Sequence, residues 1–203
     1  MPAGEHVERA TQYTWIDTIR SPILWAGGAG YLALWFPVLA GLGLSRTLVP
    51  GDPILKLICR GVTRLAGLEV RYVGLERLKP GEGYLYVPNH VAAIDLFVIY
   101  QALPEYCRSF EDISHFKMPL YGPVIRVVGQ IPVARGDKDL NAKAVETARA
   151  MLADGHAIVS LAEGHRTLDG RLRRLYAGGF KIAIEMGAKV VPLVQRGLRR
   201  CMR

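Results

Sequence analysis

From residue 68 onward the chain alternates between two periods, short apolar or every-second-residue runs and longer runs with apolar positions three to four apart. The short runs predict strands over 68–73, 81–87, 106–110, 130–134, 157–161 and 190–194. The longer runs predict helices over 92–102, 119–128, 140–152 and 178–186, with Glu146 and Arg149 facing outward from the third of these. Strand and helix in turn predict an α/β fold, with a mostly parallel central sheet flanked by helices. No internal repeat or low-complexity tract interrupts the pattern.

The first 67 residues read differently. Residues 22–44 contain no charged side chain and are long enough to cross the hydrocarbon core of a bilayer. Gly27, Gly28, Gly30, Pro37, Gly41 and Gly43 interrupt this run. The expectation is therefore a membrane-associated segment, either one kinked spanning helix or two shorter helices dipping into one leaflet around Pro37. Residues 1–20 are polar and mixed in charge, without a basic region against an early apolar run, so no cleaved signal peptide is expected. Over 53–68 the pattern is amphipathic: Lys56, Arg60 and Arg64 recur every four residues, opposite Ile54, Ile58, Val62 and Leu65. Such a helix either lies on an anionic membrane or packs on the protein's own core with a solvated basic face. The division expected is 1–67, membrane-facing, and 68–203, the α/β unit.

Charge sharpens the membrane reading. The chain carries a formal net charge of +8 although half its residues are hydrophobic, and its mean hydropathy is +0.17. That combination favours an anionic membrane surface, and no nucleic-acid partner is expected because no DNA- or RNA-binding motif or aromatic platform accompanies the basic residues. Arg46, Lys56, Arg60, Arg64 and Arg71 follow the uncharged run while the preceding side is roughly balanced, so the α/β unit is expected on the cytoplasmic face. The three cysteines, Cys59, Cys107 and Cys201, show neither disulfide nor zinc spacing and fit a reducing compartment.

Candidate chemistry centres on residues 86–95, where an apolar strand-like run is followed by His90 and, five residues on, Asp95. Asn89 is expected to cap the helix that follows. On one continuous helix the two side chains would point about 140° apart. With His90 at the strand-to-helix corner they meet, the carboxylate holding one ring nitrogen and leaving the other free to take a proton. No Ser or Cys nucleophile stands beside the pair, so the base would act directly on a substrate hydroxyl. The same two residues also fit a capping histidine and a favourable first-turn charge. Two further segments, ending at Arg135 and spanning 163–167, also follow predicted strands, which places all three on one rim of the sheet. His156, Glu163 and His165 match no usual metal-ligand spacing, and Arg171, Arg173 and Arg174 read as a solvated basic loop. No phosphate-binding glycine loop or G-x-S-x-G elbow is present.

The stretch N-H-x-x-x-x-D after an apolar strand resembles the first motif of the glycerolipid acyltransferases, the family that includes 1-acylglycerol-3-phosphate acyltransferases. Lys117 to Gly122 with Gly129 and Arg135 resembles the second, Glu163-Gly164-His165-Arg166-Thr167 the third, and Val191-Pro192-Leu193 the fourth. The four blocks follow the family's order over about 105 residues. The resemblance implies catalysis by His90 with Asp95, and acceptor binding by Lys117, Arg135, Glu163, Gly164 and Arg166. Arginine forks would hold the acceptor's phosphate. It also implies acyl-CoA or acyl-carrier protein as co-substrate, a lysophospholipid as acceptor, a membrane as partner, and no metal or other cofactor. Departures cluster on the acceptor side: Ala162 for proline, His165 for threonine, Ala92 for serine, and Tyr176-Ala177-Gly178 where F-K-x-G is usual. The chain also ends about ten residues past Pro192, sooner than the resemblance leads one to expect. Lysophosphatidate is the acceptor favoured; another lysolipid such as a lyso-aminolipid, or an inactive membrane-binding relative, are the alternatives.

Overall fold

The computed structural model describes residues 15–44, 52–119, 121–167 and 169–198. Arg46 and Cys201, and most of the polar N-terminus, lie outside them. Five parallel strands form one sheet: β1 (Leu85–Pro88), β2 (Cys107–Asp112), β3 (Ile131–Val133), β4 (Ala157–Val159) and β5 (Val190–Leu193), in the order β3-β2-β4-β1-β5. Since all run the same way, every strand delivers its C-terminal end to the same rim.

Helices cover both faces, as buried parallel strands require. On one face lie α1 (Trp15–Leu44), α2 (Asp52–Leu65), α3 (Asp95–Tyr100) and α4 (Tyr121–Val127). Leu39, Leu55, Ile58, Ile99 and Tyr100 from these helices bury against Tyr84, Tyr86 and Val159. On the other face α5 (Lys138–Ala153) and α6 (Gly178–Met186) pack Ala144, Ala148, Leu152, Ile182 and Ala183 against Leu85, Ile131 and Ile158. The α/β architecture with a parallel sheet is thus as read from periodicity.

Four local expectations are corrected. Residues 68–73 do not form a strand: Leu68 and Val70 bury one side, but among the described residues no strand pairs with them, the Leu68 N–H being taken by the Thr63 carbonyl of α2, so alternation produces an extended segment without a ladder. The expected helix 92–102 shortens to α3, preceded by a turn. Asn89 does not cap it. Its amide instead joins Gln195 beyond β5, accepting from the Gln195 N–H (2.7 Å) and donating to the Gln195 carbonyl (3.1 Å). Conversely, α5 begins two residues early because Asp137 caps it, accepting from the Leu140 N–H at 2.9 Å.

The apolar run forms a single helix, with both Pro22 and Pro37 inside it, rather than two segments breaking at Pro37. At 1.5 Å per residue α1 is about 45 Å long. Its stretch Pro22–Gly41 has only 6% of residues buried, and Ile23, Trp25 and Leu34 are exposed. The C-terminal half is anchored, with Tyr31 so close to α2 that a Cβ on Gly61 would lie 2.0 Å from its hydroxyl. α2 follows the own-core alternative: Leu55, Ile58, Cys59 and Val62 are buried while Arg60 and Arg64 face outward. Lys56 leaves the basic stripe to pair with Asp52 at 2.7 Å.

Candidate active site

Pro88 is the last residue of β1, and the chain turns there towards α3. At the turn, His90 Nδ1 lies 2.7 Å from Asp95 Oδ2. Asp95 is the first residue of α3 and 1% exposed. Its carboxylate reaches backward, accepting from the Val91 N–H at 2.7 Å and the Ala92 N–H at 3.0 Å. An ionised carboxylate only accepts, so the third contact requires Nδ1 to carry the ring proton. Nε2 is then the unprotonated nitrogen, the one suited to act as a base.

The rest of the rim braces this corner. Glu163, 2% exposed, lies beyond β4, next to β1 in the sheet. One of its oxygens accepts from the His90 N–H and the other from the Arg173 N–H, each at 2.8 Å. The Thr167 N–H donates to the His90 carbonyl at 2.9 Å. His90 is therefore held on both sides of its backbone by the segment after β4. Gly164 takes a φ of +72°, and a Cβ there would stand 2.7 Å from the Tyr176 ring. Both facts call for glycine.

The cationic candidates are brought to the same rim but not into contact with one another. Arg135 follows β3, is exposed, and donates from Nη2 to the Tyr176 hydroxyl at 2.8 Å. Arg166 is exposed in the loop after β4, and Lys117 is exposed in a 3-10 turn, His115–Lys117, after β2. His156 is separated from Glu163 by the whole of β4 and meets the Tyr106 ring edge to face, with centroids 4.9 Å apart, so it stands away from Glu163 and His165. A hollow of about 410 Å³ is lined by Glu163 and residues 173–177. An apolar cavity of about 40 Å³ lies among α1, α2, α3 and α4, with Leu39, Ile58, Phe97 and Val124 in its wall.

Two features escaped the sequence reading. His115 and Glu111 form a second imidazole–carboxylate pair at the end of β2, with Nδ1 to Oε2 at 2.7 Å and the Tyr121 hydroxyl donating to the other oxygen at 3.1 Å. Their spacing of four on the chain was the available signal. The Arg173 amide and the Tyr176 hydroxyl are the second feature, and neither belongs to a recognisable spacing.

Comparison with known proteins bears on the family and the fold. The family model described as acyltransferase matches residues 69–196. A 1-acyl-sn-glycerol-3-phosphate acyltransferase of Chlamydomonas reinhardtii is 28% identical over 130 residues, 64% of this chain and 39% of that protein. The alpha form from Homo sapiens is 25% identical over 166 residues, 79% of this chain and 59% of that protein. The chain thus spans about two fifths of the algal relative's length. The crystal structure of the 1-acyl-sn-glycerophosphate acyltransferase from Thermotoga maritima superposes with a TM-score of 0.68 over 90% of this chain and 76% of that one, at 18% identity, a likeness of fold. With the family model covering well over half of its length, the chain belongs to the acyltransferase family.

Proposed function

We propose that this protein transfers an acyl group from a thioester donor, acyl-CoA or acyl-carrier protein, to the free hydroxyl of lysophosphatidate, giving phosphatidate. One observation carries the reading: Asp95, already holding two backbone amides, fixes the proton on His90 Nδ1 and leaves Nε2 as a base on the rim. In the reaction, Nε2 takes the proton of the glycerol hydroxyl as its oxygen attacks the thioester carbonyl. The new C–O bond forms, the C–S bond breaks, and the departing thiolate receives the proton back from the imidazolium. Asp95 stabilises that imidazolium while it lasts, and no acyl-enzyme is needed.

The acceptor's phosphate is assigned to Arg135 and Arg166, with Lys117 as a further cation, since all three side chains are exposed on the rim. Glu163 acts through the loop, its two oxygens being occupied by amides, and Gly164 lets the Tyr176 ring close over that loop. The names of the relatives support lysophosphatidate as acceptor. The exposed apolar length of α1 supports docking in a bilayer, with the rim assigned to the cytoplasmic face by the basic residues that follow α1.

Mass spectrometry of the products formed by purified protein in detergent, offered lysophosphatidate and other lysolipids with each donor, tests the reading. Phosphatidate is the expected product, and His90→Ala should remove most of it, on the order of 10²-fold or more. His115→Ala should leave most turnover intact. Loss confined to the His115 variant would assign the base to the second pair.

A further inference from the structure

We infer that Tyr176 is a positioning residue that holds Arg135 ready for the acceptor's anionic group. This rests on the reading of Arg135 given above. Arg135 stands two residues past the end of β3, exposed at the border of the sheet, and its Nη2 donates to the Tyr176 hydroxyl at 2.8 Å. A long side chain in such a place samples many rotamers, and binding an anion would have to fix them. The hydroxyl removes part of that freedom in advance. It occupies one guanidinium N–H, and the remaining donors of the fork stay available to phosphate oxygens.

Tyr176 is itself well fixed, which an exposed partner need not be. Its backbone N–H donates to the Ala162 carbonyl at 2.7 Å, and its ring lies over Gly164, where a Cβ would come within 2.7 Å of Cε2 and 3.1 Å of Cδ2. Three residues earlier, the Arg173 N–H is bound by Glu163, whose other oxygen holds the His90 N–H. Residues 173–176 thus form a strap tied to the loop that carries Glu163 and to Arg135, and the strap walls the hollow of about 410 Å³ beside Glu163. Through it, the cation assigned to the phosphate and the base assigned to the hydroxyl share one support. An arginine fork offers parallel N–H groups to an anion with equivalent oxygens, and on the acceptor proposed above that anion is the phosphomonoester.

Tyr176→Phe removes the hydroxyl and keeps the ring over Gly164, so the fold is preserved. With lysophosphatidate and acyl-CoA, the acceptor KM should rise about 3- to 10-fold, the effect of one lost hydrogen bond, with kcat and the donor KM little changed. In an Arg135→Ala background the same substitution should add nothing. An unchanged acceptor KM in Tyr176→Phe, while Arg135→Ala still raises it, overturns the role of Tyr176 alone. Additive effects in the double variant, or a lowered thermal midpoint with acceptor and donor KM rising together, overturn it too. If Arg135→Ala itself leaves the acceptor KM unchanged, the phosphate assignment fails instead.

Discussion

Replacing Asp95 by Asn tests the proposed base most closely, because the carboxylate's three donors make the outcome calculable. Oδ2 faces His90 Nδ1 and the Val91 N–H, both at 2.7 Å, and the Ala92 N–H is shared between Oδ1 at 3.0 Å and Oδ2 at 3.1 Å. An asparagine of the same shape has one oxygen and one NH₂. With the oxygen towards His90, the NH₂ opposes the Ala92 amide, which keeps only its longer contact with that oxygen, so at most one charge-assisted bond, worth about 1.5–3 kcal/mol, is lost. With the amide turned over, two such bonds are lost and Nδ1 must become an acceptor, which puts the proton on Nε2 and blocks the base. The first orientation should dominate, lowering stability by no more than about 3 kcal/mol. Its imidazolium also loses the charge behind it: about 3 kcal/mol in the transition state is about 10²-fold in kcat, and only if the turned-over amide prevailed would the wrong tautomer deepen the loss towards about 10⁴-fold. Steady-state kinetics with lysophosphatidate, alongside a thermal midpoint, measure both effects. Since the two residues act as one unit, Asp95→Asn combined with His90→Ala should be no slower than His90→Ala alone. A folded Asp95→Asn protein with near-normal kcat would refute the mechanism.

Three other outcomes are expected. Glu163→Gln sets an NH₂ against either the His90 or the Arg173 amide, so it should lower kcat and the thermal midpoint together, whereas full activity would mean that the loop does not place His90. Glu105 is buried with its second oxygen unpartnered, and burial raises its pKa above the ordinary 4.5 despite the opposing hydrogen bond from Tyr86. The folded state therefore holds this proton more tightly than the unfolded chain. Its contribution to stability is full below the unfolded pKa and is lost as pH rises through the folded one. Glu105→Gln should flatten the decline of the thermal midpoint above pH 4.5, and an unchanged slope would count against the assignment. Finally, the protein should remain with membranes through a high-salt wash because α1 presents an apolar surface that salt does not screen; complete recovery in the soluble fraction would exclude that attachment.

Which parts of the molecule were legible in the sequence follows from the range of the forces involved. Helix α6 coincides with its expected span because its apolar positions and the left-handed Gly187 that ends it are both local. The pairing of His90 with Asp95 was legible for the same reason. Residues 68–73 were misread because alternation reports one buried side, while strand formation depends on another backbone being alongside. Asn89 was misread because Gln195, 106 residues away, competes for its amide and wins. The strap was illegible since its ties use backbone amides, which every residue except proline possesses. The arrival of Arg135 and Arg166 on one rim was anticipated, but the tie from Arg135 to Tyr176 spans 41 residues and leaves no mark in either neighbourhood.

The strand order has a consequence for how the protein is made. β4 lies between β2 and β1, and β1 pairs with nothing but β4 and β5 among the described residues. As the chain leaves the ribosome, β2 and β3 are able to pair early, but β1 waits alone for more than 70 residues of synthesis until Ala157 and its successors arrive. The segment that fills this gap is the one that leads into Glu163 and Thr167, so one late stretch of chain both bridges β2 to β1 and ties the His90 backbone, and β5 joins β1 after it. Helix α1 precedes every one of these strands, so its exposed apolar surface is complete before the stretch that ties the His90 backbone has been made.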